Sequence, residues 1–175
     1  MTVPPDPGAV RRIWLLAACG AAIWLAGVFL APLLAGRGAG GAARLVYAVY
    51  APVCHQIPAR SFRLLGQPLA VCGRCLGIYA GFAAGLILYA LARGFRRPPV
   101  LPPARLFLLL TLPLAVDGLG GLLRLWRSPI GLRFATGFAW GGLLPWYALA
   151  GLADLVRARR ERAAARTLEK PGPKK

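Results

Sequence analysis

The chain has 175 residues, 58% of them hydrophobic, and sets 22 Lys and Arg against 5 Asp and Glu, for a net charge of +17. Its mean hydropathy of +0.59 is above that of an ordinary soluble domain, and its length suits one domain. The long apolar runs, with basic residues at their ends and no interleaved aromatics among the charges, point to a bilayer with anionic headgroups, and no nucleic-acid partner is expected.

Residues 1–12 form a Pro-rich N-terminus, expected to be disordered over 1–10 and cytoplasmic. The first apolar stretch runs from Ile13 to about Ala35, behind Arg11 and Arg12. It is longer than the core of a removable signal peptide and long enough to cross a bilayer, which takes about 20 residues. It therefore reads as a retained helix, with Cys19 inside it as a small apolar residue. Residues 36–43 form a flexible link. Leu45 to Val53 is apolar but too short to span, so it lies along the interface or dips in as a re-entrant element. Tyr47 and Tyr50 suit the headgroup level, and Pro52 ends it.

A Cys/His loop follows at 54–76, opening with Cys54-His55-Gln56 and closing with Cys72-Gly73-Arg74-Cys75. It holds three of the four cysteines and the single histidine. The second span starts near Cys72 and ends near Ala92. Gly73, Gly77, Gly81 and Gly85 recur every fourth residue along it, so they share a face, and small residues on one face let membrane helices approach closely. Residues 94–103 form a stiff loop. A third span covers about Ala104 to Leu123, and a fourth about Ile130 to Ala153, where Gly137 and Gly141 offer a matching small face. Residues 154–175 are a basic tail, an Ala/Arg-rich helix that runs into a Pro/Lys segment. The expected fold is all-α: a polytopic membrane bundle of about four transmembrane helices, residues 13–153, plus one short interfacial or re-entrant helix.

With four spans, the N-terminus, the second loop and the tail share a side and carry the larger share of Lys and Arg. That side is expected to be cytoplasmic, with both termini inside and the protein in the inner (plasma) membrane. The Cys/His loop then faces outward, where disulfides persist.

On this topology Cys72, Cys75, Asp117 and Arg133 converge at one end of the bundle, with Cys54, His55 and Arg60 above them. A charge inside a span needs a partner; for Asp117 it is expected to be Arg133, with Thr136 one turn further. Cys54, His55, Cys72 and Cys75 match the ligand number of zinc or another transition metal. The C-x2-C half is the stronger pattern. Adjacent residues in extended chain point opposite ways, so His55 alternatively orients a ligand while Asp117 or water completes the site. An iron–sulfur cluster prefers four cysteines. In a second reading Cys72 and Cys75 are a catalytic thiol pair. Their thiolate is favoured by the helix N-terminus and Arg74, Cys54 is a third thiol, a quinone takes the electrons, and a periplasmic thiol carrier is the partner. Arg60 suits an anionic small-molecule ligand. Whether the chain is an enzyme stays open. The rivals are a structural membrane protein, with one disulfide from Cys54 and an interhelical Asp117–Arg133 lock, and a small transporter. Four short helices without an inverted repeat are few for the latter.

The string Cys54-His55-Gln56, Arg60-Ser61-Phe62, Cys72-x-Arg74-Cys75-x-Gly77-Ile78-Tyr79-x-Gly81 resembles the signature of the domain of unknown function 2085 family. The resemblance continues through Asp117-Gly118, Ser128, Arg133 and Thr136-Gly137 and covers roughly residues 46–144, with Gly73 standing where Ala is expected. It implies a multi-pass membrane protein of bacterial or archaeal type and carries no assigned activity or site.

Overall fold

The computed structural model describes residues 7–95, 101–123 and 125–169. The extreme N-terminus, residues 96–100 of the stiff loop and the terminal Pro/Lys segment expected from sequence lie outside these residues. Five helices occur among them: α1 Pro7–Gly36, α2 Gly40–Tyr50, α3 Gly73–Arg93, α4 Ala104–Leu122 and α5 Ile130–Glu169. Between α2 and α3 lie a single 3-10 turn, Pro58–Arg60, and a two-stranded hairpin of β1 Arg63–Leu64 and β2 Gln67–Pro68. The fold is all-α apart from this hairpin.

The structure differs from the sequence reading at the start of α1, in the hairpin, and at α2, which begins at Gly40 inside the expected flexible link 36–43 and ends at Tyr50 rather than Val53. α1 starts at Pro7 rather than Ile13, because proline in the first turn of a helix forfeits no intrahelical hydrogen bond. The hairpin was not foreseen. Its turn residues Leu65 and Gly66 both have positive φ, 51° and 76°, which is the backbone of a tight two-residue hairpin turn. Only the glycine advertises that turn in the sequence.

The centre of the bundle is the α3–α5 pair, and the glycine ladder builds it. A Cβ on Gly77 would fall on the Phe134 carbonyl, one on Gly81 on the Phe138 carbonyl, and one on Gly85 on the Gly142 carbonyl. From the other side, Gly137 and Gly141 press on the carbonyls of Arg74 and Ile78. Both series advance together in steps of four, so α3 and α5 run parallel with their backbones in contact. Such an approach is open only to residues without side chains.

α1 runs antiparallel to α3. Trp14 Nε1 donates to Leu86 O at 2.8 Å, Trp24 packs edge-on against Tyr79, and Ala70 N donates to Val28 O. α4 also runs antiparallel to the central pair: Tyr147 OH donates to Pro102 O near its start, Trp140 Nε1 to Thr111 Oγ1 at mid-height, and Asp117 pairs with Arg74 near its end. One end of the bundle therefore gathers the start of α1, the end of α3 and the start of α4, with Val10, Leu86, Tyr89, Leu149 and Ala153 forming a buried cluster there. The opposite end gathers the cysteines, the end of α4 and the start of α5. α2 folds back along α1 as a short cap, and Tyr50 OH donates to Trp24 O at 2.6 Å.

Among the described residues three helices are long and apolar enough to cross a membrane: α1 over Gly8–Gly36, α3 and α4. α5, the expected fourth, is not among them. Its apolar half is diluted by Gly137, Gly141, Gly142, Pro145 and Trp146, which pack on α3, and by Trp140, which packs on α4.

Candidate metal centre and cationic pocket

Cys54 and the Cys72–Cys75 pair arrive from two segments of the chain and meet. Cys54 follows the end of α2, its backbone N–H donating to Tyr50 O. Gln56 then takes a positive φ of 49°, a conformation a non-glycine residue holds only when its surroundings fix it. They do so here: Gln56 Nε2 donates to Tyr47 O at 2.7 Å and to Ala70 O at 2.9 Å. One side chain thus ties the end of α2 to the strand leading into α3. Cys72 is the extended N-cap of α3, and Cys75 lies in the first turn. The three sulfurs all lie within 4.8 Å of one another, and all three thiols are unbridged.

Backbone donors surround these sulfurs. Cys54 Sγ, on a residue only 6% exposed, accepts the N–H of Cys72 at 3.2 Å and that of Gln56 at 3.5 Å. Hydrogen bonds from the Cys54 and Cys75 side chains hold the Cys72 thiol well below the usual range, and backbone N–H groups at the start of α3 lower it further. A helix N-terminus leaves its first N–H groups without intrahelical partners, and thiolate is the acceptor they favour.

His55 is exposed and lines the mouth of the same pocket. Its ring is outside the group of mutually close donor atoms, as expected for a neighbour of Cys54 that points the other way. Cys19 lies on α1, exposed and apart from the cluster.

Beside the sulfurs is a charged network. Asp117, 6% exposed, forms its ion pair with Arg74 and accepts a second hydrogen bond from Ser128 Oγ. Arg133, 4% exposed, joins through Ser128, donating from Nε to its carbonyl at 3.2 Å, while its guanidinium covers Gly121. The sequence reading paired Asp117 with Arg133; here Arg74 is the direct partner and Arg133 the second neighbour. Thr136 bonds back to its own helix at Leu132 and Arg133 rather than to Asp117. Arg60 Nη2 reaches Gly121 O at 3.4 Å. The cysteines, His55, Arg60, Arg74 and Arg133 all line one cavity of about 420 Å³, closed on its far side by Gly118, Gly121 and Leu122 of α4. Gly73, Gly77, Gly81 and Gly85 are all buried and position the site from behind.

Sequence reasoning gave no role to Gln56 or Ser128. Both stand inside quoted motif strings, but their work is done through backbone carbonyls and a second carboxylate contact, which no spacing encodes.

Comparison with known proteins gives the family. The family model described as Predicted membrane protein (DUF2085) matches residues 54–147, from the first cysteine of the cluster into the middle of α5. An uncharacterised protein of Methanocaldococcus jannaschii is 36% identical over 146 residues, covering 80% of this chain and 92% of its own length. An uncharacterised protein of Methanothermobacter thermautotrophicus is 37% identical over 90 residues, covering 51% of this chain and 78% of its own length. No solved structure matches.

Proposed function

The chain belongs to the domain of unknown function 2085 family of predicted membrane proteins, and from that premise we propose that it carries a three-thiolate metal centre at the outer end of a four-span bundle. The observation that carries the reading is the meeting of Cys54, Cys72 and Cys75 sulfurs within 4.8 Å at a helix N-terminus. Zinc–thiolate bonds of about 2.3 Å put tetrahedral sulfurs about 3.8 Å apart, so a small closure of the three side chains completes the shell. The N–H donors on Cys54 and Cys72 suit sulfur that stays deprotonated as a ligand. With three protein ligands the fourth position is open to the cavity, the arrangement of reactive rather than purely structural zinc sites. Soft Cu(I) suits the same donors. His55, at the mouth, is placed to orient a ligand in that position.

The packing of α5 supports the reading of four spans. α5 is parallel to α3 and touches its backbone through Gly77, Gly81 and Gly85, so the two helices share one depth in the bilayer. Arg11, Arg12, Arg93 and Arg105 lie toward the end opposite the cysteines. That end is the cytoplasmic one by the bias of basic residues, and the cysteine end faces outward.

The test is metal analysis of detergent-purified protein with thiol counts before and after chelation. We expect stoichiometric metal in the native chain and its loss in Cys75→Ser and Cys54→Ser. A metal-free native protein with a Cys72–Cys75 disulfide would overturn the metal centre. That outcome would favour the second reading, for which the free Cys72 and Cys75 thiols at the N-terminus of α3 speak: the pair transfers two electrons and two protons to a membrane quinone as its disulfide forms.

A further inference from the structure

We propose that the cavity beside the thiols is a binding site for an oxyanion of the phosphate class. The inference deepens the proposed centre, since both share one cavity, but the groups that carry it are guanidinium groups rather than sulfurs.

Three arginines, Arg60, Arg74 and Arg133, line the cavity, and Asp117 is the carboxylate set against them. Arg133 is almost fully buried. Among the described residues its one hydrogen-bond acceptor is the Ser128 carbonyl, reached from Nε, so both terminal amino groups remain available. Arg74 Nε is buried without a hydrogen-bond partner, and Arg60 gives a single long bond to Gly121 O. Guanidinium groups gathered in a poorly solvated place are costly unless anions answer them. A divalent metal such as zinc does not remove the surplus. Three thiolates around a divalent ion carry one negative charge and Asp117 a second, against three positive charges. One further anion neutralises the site.

The choice of anion follows from shape. Guanidinium forks bind phosphate and carboxylate oxygens bidentately. Here they come from three separate elements, the 3-10 turn, α3 and α5, so a tetrahedral oxyanion satisfies them better than a planar one. The N-terminus of α3 adds its own attraction for negative charge. The cavity is far larger than one phosphate, and Val53, Ile57 and Leu122 at its edge are exposed. A phosphate on an apolar tail, such as a lipid headgroup, therefore fits as well as the free ion.

The experiment is titration calorimetry of delipidated, detergent-purified protein with inorganic phosphate against chloride. In parallel, native mass spectrometry follows the protein in nanodiscs that contain phosphatidic acid. Wild type is expected to bind phosphate saturably. Arg60→Gln, on a partly exposed side chain outside the helices, is expected to weaken binding at least about tenfold, the scale of one charged hydrogen bond. Cys75→Ser is expected to lose metal and keep phosphate, which separates this site from the metal reading. Retention of phosphatidic acid at an Arg60-dependent site assigns the anion to lipid; phosphate binding without it assigns a soluble source. No binding beyond chloride by either probe, or equal binding in Arg60→Gln and wild type, overturns the proposal.

Discussion

Gly81→Ala is expected to destabilise the protein by about 2–3 kcal/mol, at the upper end of the overpacking range, while Gly20→Ala leaves stability unchanged or slightly raised. The two substitutions are chemically identical. In isolation each gains helix propensity, because alanine is favoured over glycine by about 1 kcal/mol inside a helix. What differs is the neighbour. At Gly20 a methyl group meets nothing within 4 Å. At Gly81 it falls on the Phe138 carbonyl, with the Phe138 Cα and C atoms at 2.9 Å, and these are backbone atoms that cannot rotate away. The only relief is separation of α3 from α5, which also strips contacts at Gly77 and Gly85. Gly81→Leu extends the effect to loss of the folded state. Thermal unfolding of the detergent-solubilised variants, followed by size-exclusion fluorescence, checks the pair. Equal melting of Gly81→Ala and wild type would mean that the two helices do not touch as described.

The glycine period shows how far a sequence reaches. A four-residue spacing of Gly73, Gly77, Gly81 and Gly85 states that one face of α3 meets another backbone, and Gly137 with Gly141 names the helix that supplies it. The apolar runs located α1, α3 and α4. The convergence of the cysteine loop with the end of α4 and the start of α5 followed from counting crossings. What spacing could not settle was rotation. Arg74 follows Gly73 and is turned about 100° from the glycine face. Whether that direction leads to α4 depends on which side of the central pair α4 docks. The sequence alone therefore pairs Asp117 with Arg133, and the structure gives Arg74 the direct bond instead. The positive φ of Leu65 was hidden for a different reason: it is imposed by the fold around an unremarkable residue, as is that of Gln56. α5 is a case where the sequence rule and the packing pull apart. The glycines, tryptophans and proline that seat it on α3 and α4 are those that lower its apparent fitness to span.

Asp117→Asn is expected to cost about 3–5 kcal/mol, the range for removing one partner of a buried ion pair. Arg74→Gln should cost less. The asymmetry comes from what each change leaves behind. Without its carboxylate, Arg74 and the buried Arg133 face each other across a poorly solvated pocket, and a guanidinium cannot shed its charge. Without Arg74, Asp117 keeps the Ser128 hydroxyl and the nearby Arg133, and a carboxylate can take up a proton instead. Replacing both residues, Arg74→Met with Asp117→Leu, should recover much of the loss of Asp117→Asn, since apolar packing often equals or betters a buried pair. The double-mutant cycle on unfolding free energy reads the coupling directly. If Asp117 were merely a solvated charge on the lipid-facing side of α4, the single variants would be near neutral and the cycle flat. The double variant carries a second reading of the site: it is expected to keep the thiol-bound metal while losing affinity for phosphate. Stability tracks the charge pair, metal tracks the three sulfurs, and anion affinity tracks the arginines, so the three parts of one pocket separate in a single set of proteins.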